Sequence, residues 1–174
     1  MSLHKPDGHG SDPNQMNSVD EILREAERAI QNGSSRQAFA LLAPLLRQQV
    51  PDAMYLASCI GKEKESREAF EMRRFWLLNQ AARFGHAHSI YLLGVQYECG
   101  DGVIKSIEIA SALFEQAALL GHARAKLSFG LDLVHGLNRI PRDAERGLEY
   151  IRQAVAENVE GAADILDELL AQGG

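Results

Sequence analysis

This chain has little of what usually announces a chemistry. It holds only two cysteines, Cys59 and Cys99. Their separation fits no metal-ligand or disulfide framework, which favours a reduced, cytoplasmic setting. No apolar run approaches the roughly 18 residues a membrane helix needs, so a membrane is not expected. Residues 1–17 contain no apolar core of a secretory leader. Aromatics make up 6% of the chain, and the period-2 alternation of a strand is nowhere sustained. Acidic residues outnumber basic ones, 24 against 18, for a net charge of −6. A nonspecific grip on phosphates needs a basic stripe, so nucleic acid is not an expected partner. Gly100-Asp101-Gly102 lacks the Lys-Ser or Lys-Thr of a phosphate loop and no strand precedes it. No nucleophile–base set can be assembled from spacing, because such groups meet in space rather than in sequence.

What is present is a phrase written twice. Gly85-His86-Ala87-His88-Ser89-Ile90-Tyr91-Leu92-Leu93-Gly94 returns as Gly121-His122-Ala123-Arg124-Ala125-Lys126-Leu127-Ser128-Phe129-Gly130, an offset of 36 residues. The material between the copies also returns, with Leu77-Leu78 and Ala81-Ala82 answered by Leu113-Phe114 and Ala117-Ala118. A period of roughly 20–50 residues marks a stacked repeat architecture.

On Ala87, Ser89, Leu93, Gly94, Tyr97, Gly100, Gly102, Val103, Ala110, Phe114, Ala117, Ala118 and Gly121, the chain resembles the Sel1-like repeat, a relative of the tetratricopeptide repeat. The following copy keeps Ala123, Ala125, Phe129, Gly130, Gly136 and Ala154, puts Leu133 at the aromatic position and lengthens the turn by one residue. The copy before Gly85 lacks the Gly-x-Gly. The resemblance covers residues 50–160 and implies an all-α solenoid of antiparallel helix pairs with a right-handed superhelical twist. Cysteine-rich members of the group carry a cysteine pair in every repeat, and this chain does not.

In chain order, residues 1–17 are polar and rich in Gly, Pro, Asp and Asn, which predicts a disordered tail. Residues 18–174 form one helical repeat domain of about nine helices. A capping box at Ser18–Glu21 opens the first helix, and Asn32-Gly33 closes it. A tetratricopeptide-like hairpin covers 18–50, a degenerate repeat 51–84, Sel1-like repeats 85–120 and 121–158, and a capping helix 160–172. The arginines of the fourth helix, Arg67, Arg73, Arg74 and Arg83, read as a solvated face or a surface for an acidic partner. Gly94 and Gly130 fall in mid-helix, where a missing side chain lets a neighbouring helix backbone approach.

Such hairpins build a trough lined by the first helix of each pair. Helical phase turns Ala87, Tyr91, Gly94 and Tyr97 inward and leaves His88, Leu92, Gln96 and Cys99 facing the trough. Repeat equivalence adds Arg124, Ser128, Asp132 and His135. These seven named polar and apolar positions (His88, Leu92, Gln96, Arg124, Ser128, Asp132 and His135) are the expected partner-binding residues. The expected function is a non-catalytic protein–protein interaction module, an adaptor or regulator gripping a protein or peptide. One alternative is a cytoplasmic neutralising protein that occludes a partner enzyme or toxin. Another is an enzyme using Asp132 and His135 as an i,i+3 pair, which orients an imidazole. His86 and His122 sit one repeat apart, too far for one metal, so neither metal nor cofactor is expected. The expected state is a monomer or a weak homodimer.

Overall fold

The computed structural model describes residues 13–172, with side chains over 18–171, and every regular element among them is a helix. The order is α1 Pro13–Gln31, α2 Ser35–Arg47, α3 Pro51–Ser58, α4 Arg67–Arg83, α5 Ala87–Cys99, α6 Ile107–Leu119, α7 Ala123–His135, α8 Ala144–Ala156 and α9 Ala162–Gln172. Each helix packs chiefly on its chain neighbours, the pairs α5–α6 and α7–α8 most extensively, and α9 lies against α8. This predominance of contacts between chain neighbours, with α1 also reaching α3, is that of a solenoid.

α1 is helical from Pro13, five residues ahead of the start expected at Ser18. Ser18 therefore lies inside the helix, and the capping-box reading is corrected. Proline at a helix start loses no bond, because the first amide has no intrahelical partner. The rest of the expected tail, residues 1–12, lies outside the described residues.

The period seen in the sequence is written into the helix ends. Gly33, Gly85 and Gly121 are left-handed, at φ +72, +78 and +89. The amide that follows each one returns to a carbonyl five residues back: Ser34 to Ala29, His86 to Ala81 and His122 to Ala117. This bond satisfies carbonyls the helix leaves open. Gln49 and Asn158 take the same conformation without being glycine, and Val50 and Val159 close their caps in the same way.

The core follows the repeat. Leu93 and its counterpart Phe129 are buried, as are Ala81 and Ala117. Gly130 meets α8 backbone to backbone, since an added Cβ would stand 2.9 Å from the Gly147 carbonyl. Gly94 differs from the expectation. A Cβ there would meet the Phe114 ring first, at 2.6 Å, and the Ala110 carbonyl only at 3.3 Å. At Gly94 the missing side chain makes room chiefly for an aromatic ring.

Candidate functional site

The first helices of the middle pairs begin with a histidine. His86 is the N-cap of α5, its Nδ1 accepting the Ser89 amide at 3.2 Å, and His122 caps α7, its Nδ1 accepting the Ala125 amide at 3.2 Å. An acceptor at Nδ1 in a neutral imidazole puts the proton on Nε2. The hydrogen-bond network therefore assigns both tautomers. His122 Nε2 lies 2.9 Å from His88 Nδ1, so His122 donates and His88 accepts, and His88 carries its own proton on Nε2. His86 directs its Nε2 toward Asp52 Oδ1 at 3.6 Å.

These rings continue into a row across three successive first helices. Tyr55 of α3 packs edge-on against His88 at 4.8 Å and tilts over His86 at 5.3 Å. Tyr91 of α5 stacks on His122 at 4.4 Å and 22°, and its ring also meets Phe114 of α6 at 5.6 Å. The histidines are half-buried, and burial is the first cause that lowers the pKa of each. At His86 the Asp52 carboxylate partly opposes that shift. At His88 the neighbouring His86 and Arg124 add to it. His122 is pushed down to about 4 by burial, then by His88 and Arg124, against a weaker pull from Glu157. Near neutral pH the row is therefore uncharged, with the exposed Arg124 at its edge.

The structure divides the seven expected binding residues into five that are exposed or half-buried and two that are buried. His88 belongs to the row, and Leu92 follows it by one turn, half-buried on the same face of α5. Arg124 is exposed, and Ser128 is half-buried with its hydroxyl donating to the Arg124 carbonyl at 3.2 Å. Gln96 and Asp132 are not open to a trough. Gln96 is buried, with its Oε1 lacking a partner. The Asp132 carboxylate accepts from the Ser111 hydroxyl of α6 and from Asn138 Nδ2 at 2.9 Å, which ties helix to loop. Helical phase places both positions outward, but each lies one turn before a glycine cap and is buried, Asp132 with a residue of the following loop bonded to it.

His135 is exposed at the end of α7. The Asp132 oxygens are engaged by Ser111 and Asn138, so the expected Asp132–His135 pair does not form. Tyr55, His86 and His122 belong to the ring row and are not among the seven residues expected from the sequence. The available signal was position, since each histidine directly follows a left-handed glycine and precedes a helix. Lys126, at the place of the apolar Ile90, is nearly buried and paired with Glu157 after α8. Among the described residues no group of three or more His, Cys, Asp or Glu is arranged to hold a metal.

Comparison with known proteins agrees with this architecture. Sel1 repeats match residues 87–122 and 127–159. Protein SHC1 of Saccharomyces cerevisiae is 30% identical over 122 residues, covering 68% of this chain and 24% of that protein. The chain thus spans about a quarter of the length of that relative. A Sel1 repeat protein from Oxalobacter formigenes superposes with a TM-score of 0.72 at 26% identity, covering 85% of this chain and 44% of the other. Two more distant structures share the fold alone. One is c5321, a protective antigen of uropathogenic Escherichia coli, with a TM-score of 0.57 at 18% identity over 71% of this chain and 26% of its own. The other is Helicobacter pylori cysteine rich protein B, with a TM-score of 0.54 at 16% identity over 83% and 96%. Tandem helix pairs, a copied cap-and-glycine grammar and two matched repeats together identify the chain as a Sel1-like repeat protein, of a family whose repeats generally serve as protein–protein interaction modules.

Proposed function

We propose that this chain is a non-catalytic adaptor or regulator that holds a segment of another protein along the first helices α3, α5 and α7. One observation carries the reading: the Tyr55–His88–His122–Tyr91 row runs unbroken across all three helices. Rings locked against each other lose little conformational freedom on binding, and amphipathic aromatic surfaces of this kind anchor protein contacts. Leu92 adds an apolar position, and Arg124 adds an exposed cation for a carboxylate or a backbone carbonyl.

The test is affinity capture from native lysate with the full chain and with a Leu92→Ser/Arg124→Ser variant. The expected result is one stoichiometric partner whose affinity falls at least tenfold in the variant, while helicity by circular dichroism is unchanged. Equal capture by both forms would move the interface off this face and overturn the reading.

A further inference from the structure

The histidine row has a property that goes beyond holding a partner. His88 and His122 share one hydrogen bond, and His122 spends its other nitrogen on the α7 N-cap. In the neutral pair every ring nitrogen has a fixed role. His122 Nδ1 must lack a proton to accept from Ala125, His122 Nε2 must carry one, and His88 Nδ1 must lack one to receive it.

An additional proton has only two places to go. On His122 Nδ1 it turns the acceptor into a donor aimed at the Ala125 amide, and it sets a cation at the positive end of the α7 dipole. On His88 Nδ1 it sets N–H against N–H across the 2.9 Å contact with His122. If His122 then moves its own proton to Nδ1, the cap is lost instead. No singly protonated state of the pair keeps both bonds. At the neighbouring junction, a proton on His86 Nδ1 also gives up the α5 cap from the Ser89 amide, but there the Ser89 hydroxyl, 2.8 Å from Nδ1, can accept it, so the His88–His122 pair is the more sensitive part of the row.

We propose that the His86–His88–His122 row is a proton-operated latch, which in its neutral form both caps the start of α7 and joins it to α5, and which on acidification must give up either the cap or the joint. Around the His88–His122 pair the surroundings give a proton little compensation. From α3 the row faces Asp52 and Tyr55, and Asp52 lies against His86 alone. From α5 it faces Tyr91, from α6 the uncharged Phe114 ring reaches it through Tyr91, and from α7 it faces the Arg124 cation. Glu157, following α8, is the carboxylate acting on His122, and Lys126 already engages it. The latch follows from the hydrogen bonds and stands whether or not this face is where a partner binds.

Two measurements on the full chain test it, neither involving a partner, so their failure leaves the binding reading untouched. The first follows the His122 imidazole by NMR from pH 8 to pH 4. The midpoint is expected at least one pH unit below the ordinary histidine value of about 6.5, with Ala125 and Ser89 amide shifts moving as the row protonates. The second compares melting temperatures at pH 7.5 and pH 5 for the wild type and His122→Asn. Asparagine keeps a side-chain N-cap but does not titrate, so the variant is expected to lose less than half of the wild-type drop. An ordinary His122 midpoint, or equal acid sensitivity in both proteins, overturns the latch. If the variant does not fold at pH 7.5, the wild-type titration alone decides.

Discussion

The α3–α4 pair and the α5–α6 and α7–α8 pairs face the same problem and solve it differently. The last carbonyls of a helix have no intrahelical donor, and each first helix ends at a short connection to its partner. α5 and α7 end on Gly100 and Gly136, left-handed at φ +76 and +65, whose amides return to Gln96 and Asp132. α3 has no such glycine. Arg73 reaches back from α4 instead, donating through Nη1 to the Ala57 carbonyl at 2.9 Å and through Nη2 to the Ile60 carbonyl at 2.6 Å. Glu65 holds the same guanidinium at 2.8 Å, and Phe39 and Phe70 place their rings beside it. Where the family turn is intact, the cap is local backbone. Where it has decayed, a single side chain from the next helix replaces it and ties α2, α3 and α4 together.

That contrast is broken most directly at Arg73. Arg73→Leu removes the donors of two carbonyls and the cation beside two rings, and we expect a loss of about 3 kcal/mol in denaturant unfolding. Arg74, one position away, makes only a 3.6 Å contact with Glu71, so Arg74→Leu should change stability by less than about 1 kcal/mol. The clamp also has its own pH signature. The Arg73 hydrogen bond, with help from the Lys62 amide, holds the Glu65 carboxyl down to about 2. Because that pKa is lower in the folded than in the unfolded chain, its stabilisation is complete above about pH 4.5 and fades as pH falls toward 2. The gap between wild type and Arg73→Leu should therefore stay constant from pH 8 to pH 5 and narrow only below that. The histidine row acts with the same sign in a higher window, from about pH 6.5 down to 4, so the two devices are separable by titration.

The packing of the helix pairs offers a second way to sharpen the comparison. α7 and α8 touch through two glycines, and a Cβ on Gly147 would stand 2.6 Å from the Gly130 carbonyl and 2.8 Å from the Val134 amide. Neither backbone atom can rotate away. Gly147→Ala should cost about 2 kcal/mol net, because overpacking outweighs a helix-propensity gain of about 1 kcal/mol. At Gly94 the obstacle is the Phe114 ring, which can shift, so Gly94→Ala should cost clearly less in the same urea titration. Equal costs would mean that the two pairs pack alike despite their different contacts.

How much of this was legible depends on whether the cause is local. The helices were legible because Gly33, Gly85 and Gly121 end them and Ser66, Ser106 and Asp143 start them with side-chain caps. The histidine caps were not, since imidazole is not a favoured N-cap type and His86 and His122 read as polar residues at a junction. Arg73 could not be told from Arg74 or Arg67. Nothing in the local pattern says which arginine meets the Ile60 and Ala57 carbonyls, 13 and 16 positions earlier. Asp132 failed for a related reason. Helical phase points it outward, and Ser111 and a loop of altered length bury it.

That altered loop supplies the smallest effect and the most local one. Gly102 in the intact turn is answered by Asn138, and the extra residue of the longer turn is Arg139. Both are left-handed, at φ +56 and +63. Asn138 tolerates that conformation, and its amide is committed to Asp132 at 2.9 Å. Arg139 has no such compensation. Its contact with Glu108 is 3.7 Å long between mostly exposed side chains, a pairing worth a few tenths of a kcal/mol at about this exposure. Arg139→Gly should therefore stabilise the chain by about 1 kcal/mol, raising the melting temperature a few degrees. Asn138→Gly should not, because it sacrifices the bond to Asp132. A lower melting temperature for Arg139→Gly would mean that the arginine side chain, rather than the backbone it strains, determines the shape of the loop.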